Sequence, residues 1–165
     1  MGVRIKEWEV LPQQRTDSEF EGFVRANESR IRLALCAAYG TDLGIEASAE
    51  AFALAWEKWE KVRTLSNQPG YLYGIGRNVA RRSMRRRTPP RLPAVPVSST
   101  PWIEPGLPDA LGRLSEKQRV AVMLVHSLQW TLAEVAELQG VSKPTVQKHV
   151  DRGLAKLRKG LKVEL

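Results

Sequence analysis

Cysteine is almost absent from this chain. Cys36 stands alone among 165 residues, so no internal disulfide forms and no thiolate metal site can be assembled. A reducing compartment, the cytoplasm, is the expected setting. Histidine is nearly as scarce, with only His126 and His149, and neither a metal nor a cofactor is expected. Long apolar runs are missing too: nowhere do uncharged apolar residues continue far enough to span a bilayer. The opening stretch carries Arg4, Lys6, Glu7 and Glu9, which a secretory leader would not tolerate, so no membrane insertion is expected. Strand-like alternation and repeat periods are also wanting, which leaves an all-α fold that is not a solenoid.

What the chain does have is charge of one sign, unevenly spread. It holds 26 Lys and Arg against 18 Asp and Glu, a net charge of +8, with 42% apolar residues to build a core. Such an excess favours a polyanionic partner over a small neutral substrate. Residues 1–60 carry 7 cations and 11 acids, residues 61–91 carry 9 cations and no acid, residues 92–115 carry 1 and 2, and residues 116–165 carry 9 and 5. The order is acidic, basic, neutral, basic. It predicts two kinds of contact surface, one for a basic protein partner and one for phosphates.

Seven of the ten prolines lie between Pro89 and Pro108, in a stretch without helical period. This is a linker by composition. Extended as polyproline II it would reach about 60 Å, enough for two small domains to stand well apart. Before it, the spacing predicts three helices. The first opens at a Ser18–Glu21 capping box, after an N-terminal tail of residues 1–17, and ends at Gly40. The second runs from about Leu43 to Val62, with Phe52, Ala55, Trp56, Trp59 and Val62 on one stripe and Glu46, Glu50, Glu57 and Glu60 off it. Core packing is the preferred account of the two tryptophans, and Cys36 is expected to be a small buried residue. The third starts after Pro69 and runs to about Arg87. After the linker, Ser115 with Gln118 caps a helix to about Leu128, Thr131 with Glu134 caps a short one, and Ser142 caps the last.

The sharpest local signal is LAEVAELQGVSKPTVQKHV, Leu132 to Val150: a short helix, a glycine turn and a second helix. Ala136 is small where two helices would approach most closely, Gly140 sits where the turn needs positive φ, and Val146 would plug the space between them. This reads as a helix-turn-helix, with a plain helical hairpin as the alternative. In such a motif the second helix enters the major groove, so Lys143, Thr145, Gln147 and Lys148 face DNA, with Gln147 the best placed to read a base. Ser142 and Thr145 at the helix start suit a phosphate, and Arg152, Lys156 and Arg158 extend the positive surface.

The second signal is YLYGIGRNVARRSMRRR, Tyr71 to Arg87, aromatics interleaved with six arginines and no acid. Arg77, Arg81 and Arg85 recur every four residues beside the uncharged Asn78. The face suits a nucleic-acid backbone and predicts binding that falls steeply with salt, although a merely solvated basic face would look the same. In the polar loop Arg63 to Gln68, Asn67 is the candidate reader of an unstacked base. Tyr71 or Tyr73 could hold open strands, since stacking one base contributes about 1 to 3 kcal/mol. Two glycines, Gly74 and Gly76, predict a looser helix than usual, each costing about 1 kcal/mol against alanine.

The order of these parts resembles an extracytoplasmic-function sigma factor of the sigma-70 family. The likeness is carried by EASAEAFALAWEKW (Glu46 to Trp59), PGYLYGIGRNVARRSMRRR (Pro69 to Arg87) and Leu111 to Arg158. It implies a two-domain specificity subunit of RNA polymerase: region 2 over residues 18–87, a linker at 88–106 and region 4 over 107–165. It further implies core polymerase and promoter DNA as partners, with an anti-sigma factor as a further one, and no enzymatic activity. Carried over position by position, Glu46, Glu50 and Glu57 fall on the helix that docks on core polymerase. Asn67, Tyr71, Arg77, Asn78, Arg81 and Arg85 fall on the surface that reads and melts the −10 element. Ser142, Lys143, Thr145, Gln147, Lys148 and Arg152 fall on the −35 helix. Two other classes stay open. A stand-alone helix-turn-helix regulator with an N-terminal sensing or dimerisation domain would bind DNA without polymerase. A nuclease would need clustered carboxylates or histidines, which the basic strip lacks.

Overall fold

The computed structural model describes residues 12–86 and 106–161, and the regular elements among them are all helical. The proline-rich linker at 88–106 lies outside the described residues except for Gly106, as does Arg87. Helix α1 spans Pro12–Tyr39 and so begins well ahead of the Ser18–Glu21 box. Ser18 is exposed within the helix and caps nothing, and residues 12–17, expected as tail, form its opening turns. Proline suits that place because the N–H it lacks has no intrahelical partner in a first turn. Gly40, at φ 88, ends α1 and lets α2, Thr41–Glu57, start at once.

The second predicted helix is broken. Lys58 leaves helical geometry at φ −113 and ψ 23, and a separate turn, α3 (Trp59–Val62), follows. The break corrects the expected stripe: Phe52, Ala55, Trp59 and Val62 are buried, whereas Trp56 remains 44% exposed. Its indole is not idle, since the Phe20 ring lies 4.9 Å from Trp56 and 5.1 Å from Trp59. Cys36 is likewise only half-buried; burial raises its thiol pKa above the ordinary range, so it stays protonated.

Helix α4, Gln68–Arg86, packs on both α1 and α2 through Leu72 and Val79, with Tyr73 buried beside them. Gly76 does not loosen it. A Cβ at that position would stand 2.5 Å from Leu35 Cδ1, so the glycine permits the close approach of α4 to the α1 core.

The second half comprises α5 (Leu107–Gly112), α6 (Glu116–Val122), α7 (Leu132–Gln139) and α8 (Lys143–Leu161). Both predicted capping boxes are present and reciprocal, Ser115 with Gln118 and Thr131 with Glu134. The helix expected to reach Leu128 changes at Met123 into one π turn, Met123–Ser127. After it, Gln129 takes φ 58, and the Trp130 N–H donates to the Leu124 carbonyl at 2.9 Å.

The two halves do not stand apart. One continuous buried cluster runs from Ile31, Leu35 and Leu72 of the first into Val120, Leu124, Val135 and Val146 of the second. A smaller cluster, Ala110, Leu114, Val122 and Leu157, seats α5 on α8. Each fully buried leucine or valine contributes roughly 1.5 to 3 kcal/mol, so the joint core dominates over the polar contacts at its rim.

Candidate nucleic-acid interface

The helix-turn-helix forms as its sequence dictates. Thr131 Oγ1 accepts the Glu134 N–H at 3.2 Å, while the Glu134 carboxylate accepts the Thr131 N–H at 2.8 Å and holds its own pKa below the usual range by doing so. Gly140 at φ 64 and ψ 38 is the left-handed turn residue, and Val135, Ala136, Val146 and Val150 close the space between α7 and α8. This apolar face leaves the opposite face of α8 to solvent: Lys143, Gln147, Lys148 and Arg152 are exposed. Ser142 Oγ accepts the Thr145 N–H at 3.3 Å and so caps the helix, and the Thr145 hydroxyl lies 2.8 Å from that of Ser142. Pro144 is accommodated in the first turn, where it removes no intrahelical bond. Gln147 Nε2 donates to Asp151 Oδ1 at 2.8 Å, one turn on. Asp151 therefore orients the amide expected to read a base, and the i, i+4 spacing of the pair was a usable signal for it.

Helix α4 presents its cations differently. Asn78 and Arg85 are exposed. Arg77 is half-buried, and its Nε is enclosed without a hydrogen-bond partner. Arg81 faces α6: its Nε and Nη2 reach the Glu116 carboxylate at 3.1 to 3.2 Å, a forked pair. Asn67 donates through Nδ2 to the Glu137 carbonyl of α7 at 2.7 Å and accepts the Gly70 N–H at 2.9 Å. Tyr71 is half-buried against the core, and Tyr73 is buried, which takes it out of reach of an unstacked base in this arrangement. Burial pushes the phenols of Tyr39 and Tyr73 well above their ordinary range, and the Glu116 carboxylate adds to it, so both stay neutral.

Further contacts between the halves come from residues that no sequence pattern singled out. Arg119 donates through Nη2 to the Ala38 carbonyl at the end of α1. The Arg30 guanidinium lies 5.0 Å over the Trp130 ring and 3.9 Å from the Glu137 carboxylate. These pairs join positions far apart in the chain, and neither spacing nor composition announces them. Arg81 and Glu116 are 47% and 20% exposed, and such an ion pair contributes at most about 1 kcal/mol.

In the first half, Glu46, Glu50 and Glu57 are all exposed on α2. Ile45 (49% exposed) and Trp56 (44%) lie on the same helix, giving its surface the mixed apolar and acidic character of a protein-contact surface. Among the described residues no group of His, Cys, Asp and Glu could hold a metal ion, and no helix is long and apolar enough to cross a membrane.

Against known proteins, residues 106–157 match the family of sigma-70, region 4. None of the curated proteins matches the chain in sequence. Among solved structures, the chain is similar to the sigma factor RpoE from Bartonella quintana, solved in complex with the anti-sigma factor NepR. The TM-score is 0.65 at 20% identity, over 90% of this chain and 99% of that one. That likeness extends the shared architecture beyond region 4 to the helices that precede it. Residues 106–157 thus match sigma-70, region 4, and the fold of the chain as a whole is like that of a solved sigma factor.

Proposed function

We propose that the chain is a promoter-specificity subunit: it binds core RNA polymerase, directs transcription initiation by reading −10 and −35 elements, and acts in the cytoplasm by binding rather than by catalysis. The observation that carries this is the region 4 match on a helix-turn-helix whose polar face, Lys143, Gln147, Lys148 and Arg152, is open to solvent. In this account residues 18–87 serve as region 2 and 107–165 as region 4. Gln147, held by Asp151, reads a base of the −35 element, and Ser142, Lys143, Thr145, Lys148 and Arg152 meet phosphates around it. Asn67, Tyr71, Arg77, Asn78, Arg81 and Arg85 serve the −10 element, and Glu46, Glu50 and Glu57 engage a basic surface of core polymerase. The similarity to RpoE bound to NepR supports an anti-sigma factor as a further partner. Run-off transcription with purified core polymerase tests the proposal: a promoter-dependent start should appear only when the protein is added. Sequence-specific DNA binding with no transcript from any bound promoter would instead favour the stand-alone regulator.

A further inference from the structure

Helix α8 carries six cations, Lys143, Lys148, Arg152, Lys156, Arg158 and Lys159, and a single acid, Asp151. On a helix that approaches phosphates, a carboxylate works against binding. Asp151 is exposed, so no packing role accounts for it. What it does hold is a neutral amide: its Oδ1 accepts a hydrogen bond from Gln147 Nε2 at 2.8 Å, one turn back along the helix. Gln147 is exposed as well and is the fifth residue of α8, within the N-terminal part of a recognition helix that meets base edges.

The bond decides what the amide has left to offer. A glutamine amide has two N–H donors and one carbonyl acceptor. Asp151 takes one donor, and its negative charge turns the carbonyl oxygen away from itself. The edge that remains is one N–H beside one C=O. In the major groove adenine shows the matching pair, an N7 acceptor beside an N6 donor, whereas guanine shows two acceptors, N7 and O6. The glutamine carbonyl would face the guanine O6 with no proton between them. An amide free of Asp151 has no such constraint and can turn both N–H groups toward guanine. We infer that Asp151 is the specificity-determining partner of Gln147, and that the pair selects adenine and rejects guanine at one base pair. The inference rests on the function proposed above for placing α8 in the major groove of DNA, but not on any action of polymerase.

The test selects duplexes from a library of randomised sequence with the full chain, alone and bound to core polymerase. Competition binding then compares the four base pairs at each position of the selected duplex. One position should prefer adenine over guanine roughly tenfold, and Gln147→Ala should abolish the preference there, which identifies the position. Asp151→Ala should reduce that ratio to about twofold while raising affinity for unselected duplex about threefold, because an acid has left the cationic helix. Asp151→Asn, which keeps an acceptor for Nε2 without the charge, should give the same rise and retain most of the preference. Selectivity and affinity thus move in opposite directions, which damage to the fold would not produce. The inference is overturned if Asp151→Ala leaves the adenine ratio unchanged, if the position lost in Gln147→Ala prefers guanine, or if Asp151→Ala weakens selected and unselected duplexes alike. Failure of either form of the chain to select any sequence would overturn it together with the reading of α8 as a DNA helix. The expected base preferences without a transcript from core polymerase would count against the promoter-specificity role and leave the pair standing.

Discussion

Helices α4 and α8 are each 19 residues long, both are cation-rich on one side and apolar on the other, and both end in basic residues, Arg85 and Arg86 in one, Arg158 and Lys159 in the other. By sequence pattern they are two versions of the same device. In the folded chain they are not equivalent. Helix α8 is seated on its apolar side by its immediate neighbours α7, α6 and α5; Lys156 donates to Gln118 of α6, while Lys143, Lys148 and Arg152 are exposed. Helix α4 is seated by α1 and α2 on its apolar side and by α7 on another, so part of its polar face is already engaged. The lesson is that a basic amphipathic helix announces its capacity for phosphate but not its availability. Availability is set by elements distant in the chain.

The largest test of that contrast asks whether both helices stand on one core. Leu72 is fully buried in α4, and the cluster it belongs to continues through Val135 and Val146. Leu72→Ala should cost about 3 kcal/mol by lost burial and the cavity left behind. Amide hydrogen exchange should show the protection of α4 falling most and that of α7 and α8 falling measurably with it. Protection of α7 and α8 at the parent level would mean two separate cores, and the joint cluster would lose its meaning.

A smaller pair of substitutions separates reading from holding. Gln147→Ala should relax discrimination at one base pair of the upstream element by about 1 to 3 kcal/mol while leaving the salt dependence of binding nearly unchanged. Arg81→Ala, in the assembled holoenzyme, should weaken every promoter alike and reduce the slope of log affinity against log salt by about 1. Competition binding on matched and scrambled upstream sequences, repeated across salt concentrations, checks both. Equal losses on the two sequences for Gln147→Ala would remove that residue as a base reader.

The difference between the helices also explains what was legible beforehand. The helix-turn-helix came out of the sequence nearly whole because its determinants are local: caps at Ser115 and Thr131, the left-handed Gly140, and valines in register with them. The cationic face of α4 was legible for the same reason. What failed was either a local rule overridden or a contact with no local trace. Ser18 offers a good cap, yet a helix already running from Pro12 passes through it. Trp56 shares the spacing of Trp59, yet the break at Lys58 lets one indole turn inward and leaves the other in water. Gly76 looks like a helix weakness until Leu35 is seen against it. The contact between the halves is the extreme case: Arg81 to Glu116 and Asn67 to Glu137 join residues with no relation in pattern, and a proline-rich connector suggested separation rather than contact.

The smallest effect expected bears on the one element that serves both surfaces. Helix α7 carries at one end the Glu137 carbonyl that holds Asn67, and through Gly140 it launches α8. Its start is fastened by the Thr131–Glu134 box, in which hydrogen bonds from the Thr131 backbone and hydroxyl hold the Glu134 carboxyl below its ordinary value of 4.5. A carboxyl with a depressed folded pKa stabilises the fold fully above its unfolded pKa, and that contribution is lost as pH falls through the folded value. Because Glu134 is almost wholly solvated, the loss should be slight, visible as a shallow decline in melting temperature below about pH 4.5. Thr131→Ala should lower stability by about 1 kcal/mol at neutral pH and flatten that decline, since the carboxylate then has no cap to lose. Acid sensitivity that persists undiminished in Thr131→Ala would place its source elsewhere in the chain. If it vanishes, the box is the source of that decline.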